Sequence, residues 1–345
     1  MAGLSGLGCA AEYHAVVADR DGAIVSNLVT VTEVEFTRVL NDASTGRVVV
    51  VPDLDCCETL GDVRSWRNWL HIYRNGDYVW GGPILTAEWS LGGFEINAAD
   101  IIAILNRRTP HESRAFTSTD LTDIATWLIE DGFLPDDPGH TVNVLAKSGV
   151  SGAREYTLDI GQTGDHLKDL ADTGLDFTAV GNSILLLPDD WSASVGLLTD
   201  ADLPEGLSVA EDGTALATRW VVYGSDGSGV KGVAGGVHPY YGLIERSIQD
   251  TSIMDNESAA AAAQSRLNAS LPVPVYIDTQ EVTLSSDAGL DVARAVPGWC
   301  VDFATTTTCR DVSQRMKITG LHVTADGTGE SVKVQLGPVS AEGDV

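Results

Sequence analysis

Hydrophobic and polar positions alternate along most of the chain, and the clearest alternation flanks one Asn-Gly pair. In "LHIYRNGDYVWGGPILTAEW", residues 70–89, Asn75-Gly76 separates two aromatic-rich runs, the strongest short-range signal for a two-residue hairpin turn. A type I′ turn there predicts Tyr73 opposite Tyr78 and Ile72 opposite Val79. Upstream, "YHAVVADRDG" alternates and ends in a turn. "AIVSNLVTVTEVEFTRVLND" places Val29, Val31, Glu33 and Glu35 on one face and Thr30, Thr32, Val34 and Phe36 on the other. "TGRVVVVPDLD" is apolar without alternation and predicts a buried strand. "GGFEINAADIIAILNRR" closes the block with a strand at Phe94-Glu95-Ile96, and its "DIIAIL" reads as a strand end or a short helical turn.

After residue 110 the period lengthens. "TSTDLTDIATWLIEDGF" has a Ser/Thr/Asp cap followed by Leu121, Ile124, Ala125 and Leu128 on one helical face, with Gly132 as the stop. "REYTLDIGQTGDHLKDLADTGLDFTAVGNSILLLPDD" reads strand, helix, strand, strand, with Leu167, Leu170 and Ala171 apolar, Gly174 ending the helix, and Gly181-Asn182 as a hairpin turn. Residues 111–215 thus form a small α+β insert. From 216 the β pattern returns in "ATRWVVYGSDG" and "HPYYGLIERSIQD", while "GSDGSGVKGVAGG", residues 224–236, reads as a flexible loop. "NESAAAAAQSRLNASL" predicts a helix over about 256–269 by propensity and its acidic first turn, its alanines packing close to a sheet. Strands follow to Val339, and the tail from Ser340 is expected to fray.

The first and third blocks echo one another. Trp69, His71 and Tyr73 open the first, a long strand follows the turn, and Gly92-Gly93 leads to Phe94-Glu95-Ile96. Trp299, Val301 and Phe303 open the third, "MKITGLHVTAD" is the long strand, and Gly327-Thr328-Gly329 leads to Val332, Val334 and Leu336. The expected architecture is mainly β with an α+β insert: two tube-like β-barrel domains, 1–110 and 216–345, related by an internal pseudo-repeat. Three such chains in a ring would present six equivalent barrels, which suits a joint between a sixfold and a threefold object.

Charge changes the picture more than composition does. The 345 residues are 43% hydrophobic with 36 glycines, in keeping with a loop-rich β protein, and no stretch predicts membrane insertion. There are 49 acidic and 21 basic residues, net −28. A solvated acidic surface and halophilic adaptation both account for this, and non-specific binding to nucleic-acid backbones or anionic lipid is disfavoured. A conduit through which DNA slides without sticking is the setting that joins acidity to DNA. The start "MAGLSGLGCAAEYH" has no basic segment before its apolar residues, so neither a signal peptide nor a lipid-modified Cys9 is expected.

Candidate chemistry is sparse. Five cysteines leave at least one free; Cys56-Cys57 are adjacent, and Cys300 and Cys309 could pair across a hairpin only outside a reducing cytosol. No His/Cys cluster has zinc spacing, no Asp run completes an EF-hand, and the Gly-rich loop lacks the GK[ST] of a P-loop. His238 with Glu245 sits in what reads as a packing corner, not an acid–base pair. No cofactor and no catalytic residue is assigned. The interface candidates are Trp66, Trp69, Tyr73, Tyr78 and Trp80, with the hairpin packing one face inward and offering the other to a neighbour. Arg107, Arg108 and Arg114, beside His111 and Glu112, are an unusual basic cluster in so acidic a chain and read as an inter-subunit patch or a solvated linker.

Two stretches carry a resemblance. The hairpin followed by "GGPILTAEWSLGGFEINAADIIAILNRR", and the helix "ESAAAAAQSRLNASL" leading to "VPGWCVDFATTTTCRDVSQRMKITGLHVTADGTGESVKVQLGPV", resemble the tail hub (minor tail) proteins of long-tailed bacteriophages. The preference for Arg over Lys and Asp over Glu is consistent with a high-GC host. The resemblance implies a non-enzymatic virion protein, assembled in the host cytoplasm as a homotrimeric ring at the tail tip. It further implies a distal tail protein or tail-tube hexamer above and a central fibre, spike or other tip protein below. Genomic DNA and tape-measure protein would pass through the lumen unbound. The competing expectation is a carbohydrate-binding tail protein that recognises the host surface through its Trp-rich face.

Overall fold

The computed structural model describes residues 11–339 other than 29, 52–56, 207–208, 212, 226, 251–252, 254, 271–274, 278–280, 286–287 and 306–311. The expectations for Cys9, Cys56, Cys309 and the tail from Ser340 fall outside these residues. Strands β1 (Tyr13–Asp19), β2 (Ile24–Leu28), β3 (Val31–Val39) and β4 (Thr45–Val50) are followed by the short helix α1 (Cys57–Leu60). Then come β5 (Asn68–Arg74), β6 (Asp77–Ser90), β7 (Gly93–Ala99) and α2 (Ile102–Leu105). There follow β8 (Arg114–Asp120), α3 (Leu121–Phe133), β9 (Thr141–Val144), β10 (Ser151–Tyr156), α4 (Thr163–Ala171), β11 (Leu175–Val180) and β12 (Ser183–Pro188). Next are β13 (Ser194–Thr199), β14 (Val209–Glu211), β15 (Arg219–Tyr223), β16 (Lys231–Gly235), β17 (Glu245–Gln249), α5 (Asn256–Ser270) and β18 (Val275–Ile277). The chain closes with β19 (Glu281–Leu284), β20 (Cys300–Thr305), β21 (Val312–Asp326) and β22 (Gly329–Pro338).

The protein is mainly β, and its contacts divide it into two units. Unit 1 comprises Met1–Gly206, Thr279–Thr307 and Ser313–Val345; unit 2 comprises Leu207–Asp278 with Thr308–Val312. Unit 1 is built on a 12-stranded sheet ordered β13-β20-β21-β3-β4-β7-β6-β5-β1-β2, with β22 beside β21 and β19 beside β22. Its long-range join is β21 against β3, Val323 opposite Phe36. The core face carries Val34 and Phe36, Val48 and Val50, Phe94 and Ile96, Val323, and Val334, all nearly solvent-free.

No described sheet closes into a barrel through its backbone ladder. The large sheet nevertheless curls until its first strands meet β22, where side chains make the join. Arg74 on β5 holds Glu330 with two bonds of 2.8 Å, and the Tyr13 hydroxyl on β1 donates to the same carboxylate. Burial pushes the Glu330 carboxyl up, but hydrogen bonds from Arg74 and Tyr13 and the charge of Arg74 outweigh it and hold it low. Arg38 on β3 is buried in the same unit and donates to the carbonyls of Val79, Val292, Ala293 and Ala295 at 2.6–3.2 Å. Burial pulls its pKa down to about 10.

Within the insert, β9-β12-β11 and the ribbon β8–β10 pack with α3 and α4 around Leu121, Ile124, Leu128, Leu167 and Phe177, and Trp69 of β5 joins that core. Asp120 caps α3 by accepting from Thr122 N. Asn41 bonds Asp176 and the Phe177 backbone, and buried Lys317 reaches Asp176 at 2.6 Å, fixing the insert to the large sheet. In unit 2, β15 lies between β16 and β17, and α5 packs on this sheet through alanines. A Cβ at Gly232 would lie 2.1 Å from the Ala259 carbonyl carbon, so glycine there permits the close helix–sheet approach that the alanine run foretold.

Several local readings are corrected. Asn75 and Gly76 both have positive φ, as type I′ requires, and Tyr73 pairs with Tyr78. A register shift then sets Ile72 opposite Trp80 rather than Val79. A similar shift between Val31 and Glu33 buries Val31 with Val34 instead of leaving it beside the glutamates. "GRVVVV" does alternate: Val48 and Val50 are buried while Arg47 and Val49 are half-exposed. Gly132 lies inside α3, where a Cβ would press Leu105 at 2.9 Å; it is a packing glycine, not the stop. The 224–236 segment read as loop contains β16.

Candidate functional site on the large sheet

Opposite the core, the large sheet of unit 1 carries one continuous polar face across β19, β22, β21, β3, β4, β7 and β6. Cross-strand partners trace it: Thr283 with Lys333, Lys333 with His322, His322 with Thr37, Thr324 with Glu35, Glu35 with Arg47, Val49 with Glu95, and Glu95 with Glu88. Val49 is the apolar exception along this path. Arg47 lies in the middle, with Glu33 at 2.8 Å, Glu95 at 3.0 Å and Glu35 at 4.0 Å. His322 meets Glu35 at 2.9 Å and Lys333 meets Glu281 at 3.1 Å. The hydrogen bond from Arg47 and a second from Asn97 hold the Glu95 carboxyl low, and Lys333 does the same for Glu281.

Glu33, Glu35, Glu88, Glu95 and Glu281 thus face Arg47 and Lys333, leaving the surface acidic. Glu88 directly opposite Glu95 is unfavourable for the sheet, since like charges across a ladder repel. Such a face is hydrated and repels polyanions. Its chemistry is exclusion, not capture.

The hairpin residues divide by what covers them: Trp69 shares the face of His71 and Tyr73 but is enclosed by the core around Leu121 and Phe177, while Trp80 stands opposite Ile72 on the other face. Trp69 and Trp80 are buried, at 4% and 3% exposure, so they pack inside the chain. Tyr73 and Tyr78 are half-buried on the outer side and continue into an aromatic ladder: His14 with Tyr73 at 6.0 Å, Tyr73 with Tyr78 at 5.5 Å, and Tyr78 with His71 at 5.9 Å. An open groove lies beside it, lined by His14, Val16, Asn27, His71 and Tyr73. Burial pushes the His71 imidazole down.

The basic cluster does not stay together as a unit. Arg108 pairs with Asp136 at 3.0 Å, while Arg114 lies over the rings of Phe116 and Trp127 at 4.9 and 5.3 Å. Arg107 lies over Trp66 at 5.8 Å, and both are exposed. His111 bonds the Asp131 carbonyl at 2.8 Å. His238 accepts from the backbones of Tyr240 and Tyr241 in a tight turn whose Val237 and Tyr240 are exposed, rather than in a packed corner.

No family model matches the sequence, and no curated protein matches it. The fold is shared with solved structures. The 43 kDa tail protein of prophage MuSo2 from Shewanella oneidensis is similar with a TM-score of 0.58 at 13% identity, over 94% of this chain and 98% of that one. A tail protein from Neisseria meningitidis MC58 gives 0.55 at 16% identity, over 94% and 96%. Prophage tail protein gp18 from Listeria monocytogenes EGD-e gives 0.53 at 13% identity, over 95% of each chain. The chain therefore has the fold of phage and prophage tail proteins, along nearly its whole length.

Proposed function

We propose that this chain is a structural virion protein: a tail-tip hub whose copies form a trimeric ring with the polar sheet face lining the DNA exit channel. In this reading residues 1–110 and 216–345 supply the two tube-like parts around the 111–215 insert. The ring then joins a sixfold tube or distal tail protein above to a threefold fibre or spike below. DNA and tape-measure protein slide past without specific contacts. The observation that carries the reading is the polar, net-acidic face from β19 to β6, interrupted only at Val49 along the traced path, on a sheet whose other side carries the core. A buried-core sheet needs only one apolar face; Glu88 opposite Glu95 is unfavourable for the ladder and suits a wall that polyanions must leave. The shared tail-protein fold supports the same assignment. The test is a gold label on Thr86→Cys, viewed by electron microscopy of assembled particles. Label in the central hole is expected. Label on the outer circumference would sink the channel assignment.

The ladder His14–Tyr73–Tyr78–His71 beside an open groove favours one second reading, a host-surface glycan site, because half-exposed rings stack on sugar faces. Retention of the isolated protein on host wall glycans, abolished in Tyr73→Ala, would establish it.

A further inference from the structure

Net charge sets a condition on any ring of this chain. At −28 per copy, two copies repel, so a stable contact between them must bring a locally positive surface of one against acidic surface of the other. Most described arginines of unit 1 are already engaged within the chain. Arg47, Arg74, Arg108 and Arg315 are held by carboxylates, Arg38 and Arg64 by backbone carbonyls. Arg67, Arg107, Arg114 and Arg294 are exposed and form no ion pair among the described residues; of these, Arg107 lies against an exposed tryptophan whose neighbour in the chain is Arg67. Trp66 is 41% exposed, with the Arg107 guanidinium 5.8 Å from its ring and Arg67 next in the chain.

The tryptophan is held in place. Its backbone has a φ of +63°, a left-handed conformation that bulky residues rarely adopt, and its N–H donates to the Ile84 carbonyl at 2.7 Å. An exposed, fixed indole with one guanidinium over its ring and a second arginine next in the chain has the composition of an interface hot spot, where Trp and Arg dominate.

We infer that Trp66, Arg67 and Arg107 form the docking patch for a second copy of this chain. The occupant follows from charge: a surface with 49 acidic against 21 basic residues is the complement of this patch, and a neighbouring copy supplies it. The inference rests on the ring reading and names the surface that forms it.

Light scattering of the full chain gives the test, comparing wild type, Trp66→Ala, the double variant Arg67→Glu/Arg107→Glu, and the charge-matched double Arg114→Glu/Arg154→Glu. The expected result is a wild-type mass about three times 36.4 kDa. The Arg67/Arg107 double should be monomeric, Trp66→Ala should require at least tenfold more protein to assemble, and the Arg114/Arg154 double should remain assembled, all with unchanged circular dichroism. A wild-type oligomer that persists in the Arg67/Arg107 double overturns the patch and leaves the ring standing. Dissociation of both doubles alike overturns it in favour of general repulsion. A wild type that stays monomeric at every concentration and salt removes the ring and the patch together.

Discussion

The large sheet of unit 1 and the three-stranded sheet of unit 2 are secured by different means. Unit 1 combines aromatic and branched side chains with buried polar joins: Arg38 on four carbonyls, Lys317 on Asp176, and the Tyr13–Arg74–Glu330 clasp. Unit 2 relies on proximity. Its small core is Val222, Ala234 and Ala263, with Trp220 and Leu267 at the side, and α5 sits where only glycine and alanine allow it. A polar join tolerates modest changes in volume and fails when a partner is removed. Close backbone packing tolerates lost polarity and fails on an added methyl group.

That contrast can be broken at defined points. The largest effect is expected from Arg38→Met, which leaves buried carbonyls of Val79, Val292, Ala293 and Ala295 without their donor. A loss of about 4 kcal/mol in the unit 1 transition on urea unfolding is expected; a loss under about 1 kcal/mol would show that water replaces the guanidinium. Next is Gly232→Val, where overpacking against Ala259 should lower the unit 2 transition by about 3 kcal/mol while unit 1 melts unchanged. If calorimetry shows both transitions moving together, the two units are not independent. The smallest is Glu330→Gln, expected to cost about 1–2 kcal/mol at pH 7. Its folded pKa lies below the unfolded value, so its stabilisation is complete above the ordinary carboxylate range and is lost as pH falls through the folded pKa. The variant should therefore differ from wild type at pH 7, and the difference should shrink as pH falls below the ordinary carboxylate range, as read by melting temperature.

Legibility in the sequence followed the range of the interaction. The Asn75-Gly76 turn, the face of α3 and the alanine helix α5 are local, and each was readable from a few neighbouring residues. The shifted pairing of Ile72 was not, because a bulge is chosen by both strands together. Arg38 was signalled and missed: it shares the parity of Val34 and Phe36, so alternation alone sets it on the core face. The polar face was visible only in fragments such as Glu33 and Glu35, because joining them to His322 and Lys333 requires knowing that β21 pairs with β3. Arg107 was picked out as part of a cluster whose other members turned out to be engaged elsewhere. Arg67 was overlooked, since only the structure shows that it has no ion-pair partner among the described residues. β16 was passed over because Gly-rich strands carry little periodicity.

The β3–β21 pairing also governs when this molecule can exist during its own synthesis. His322 meets Glu35 across a sequence gap of 287 residues. At ribosomal speeds the hydrogen-bonding edge of β3 waits roughly 15–60 s for its neighbour to emerge. Throughout that interval the nascent chain displays an unsatisfied strand edge beside a row of valines and phenylalanine, the features that recruit other nascent chains. Polysome crowding, slow codons before residue 312 and the supply of holdase chaperones should therefore set the yield of soluble protein more strongly than the stability of the finished sheet.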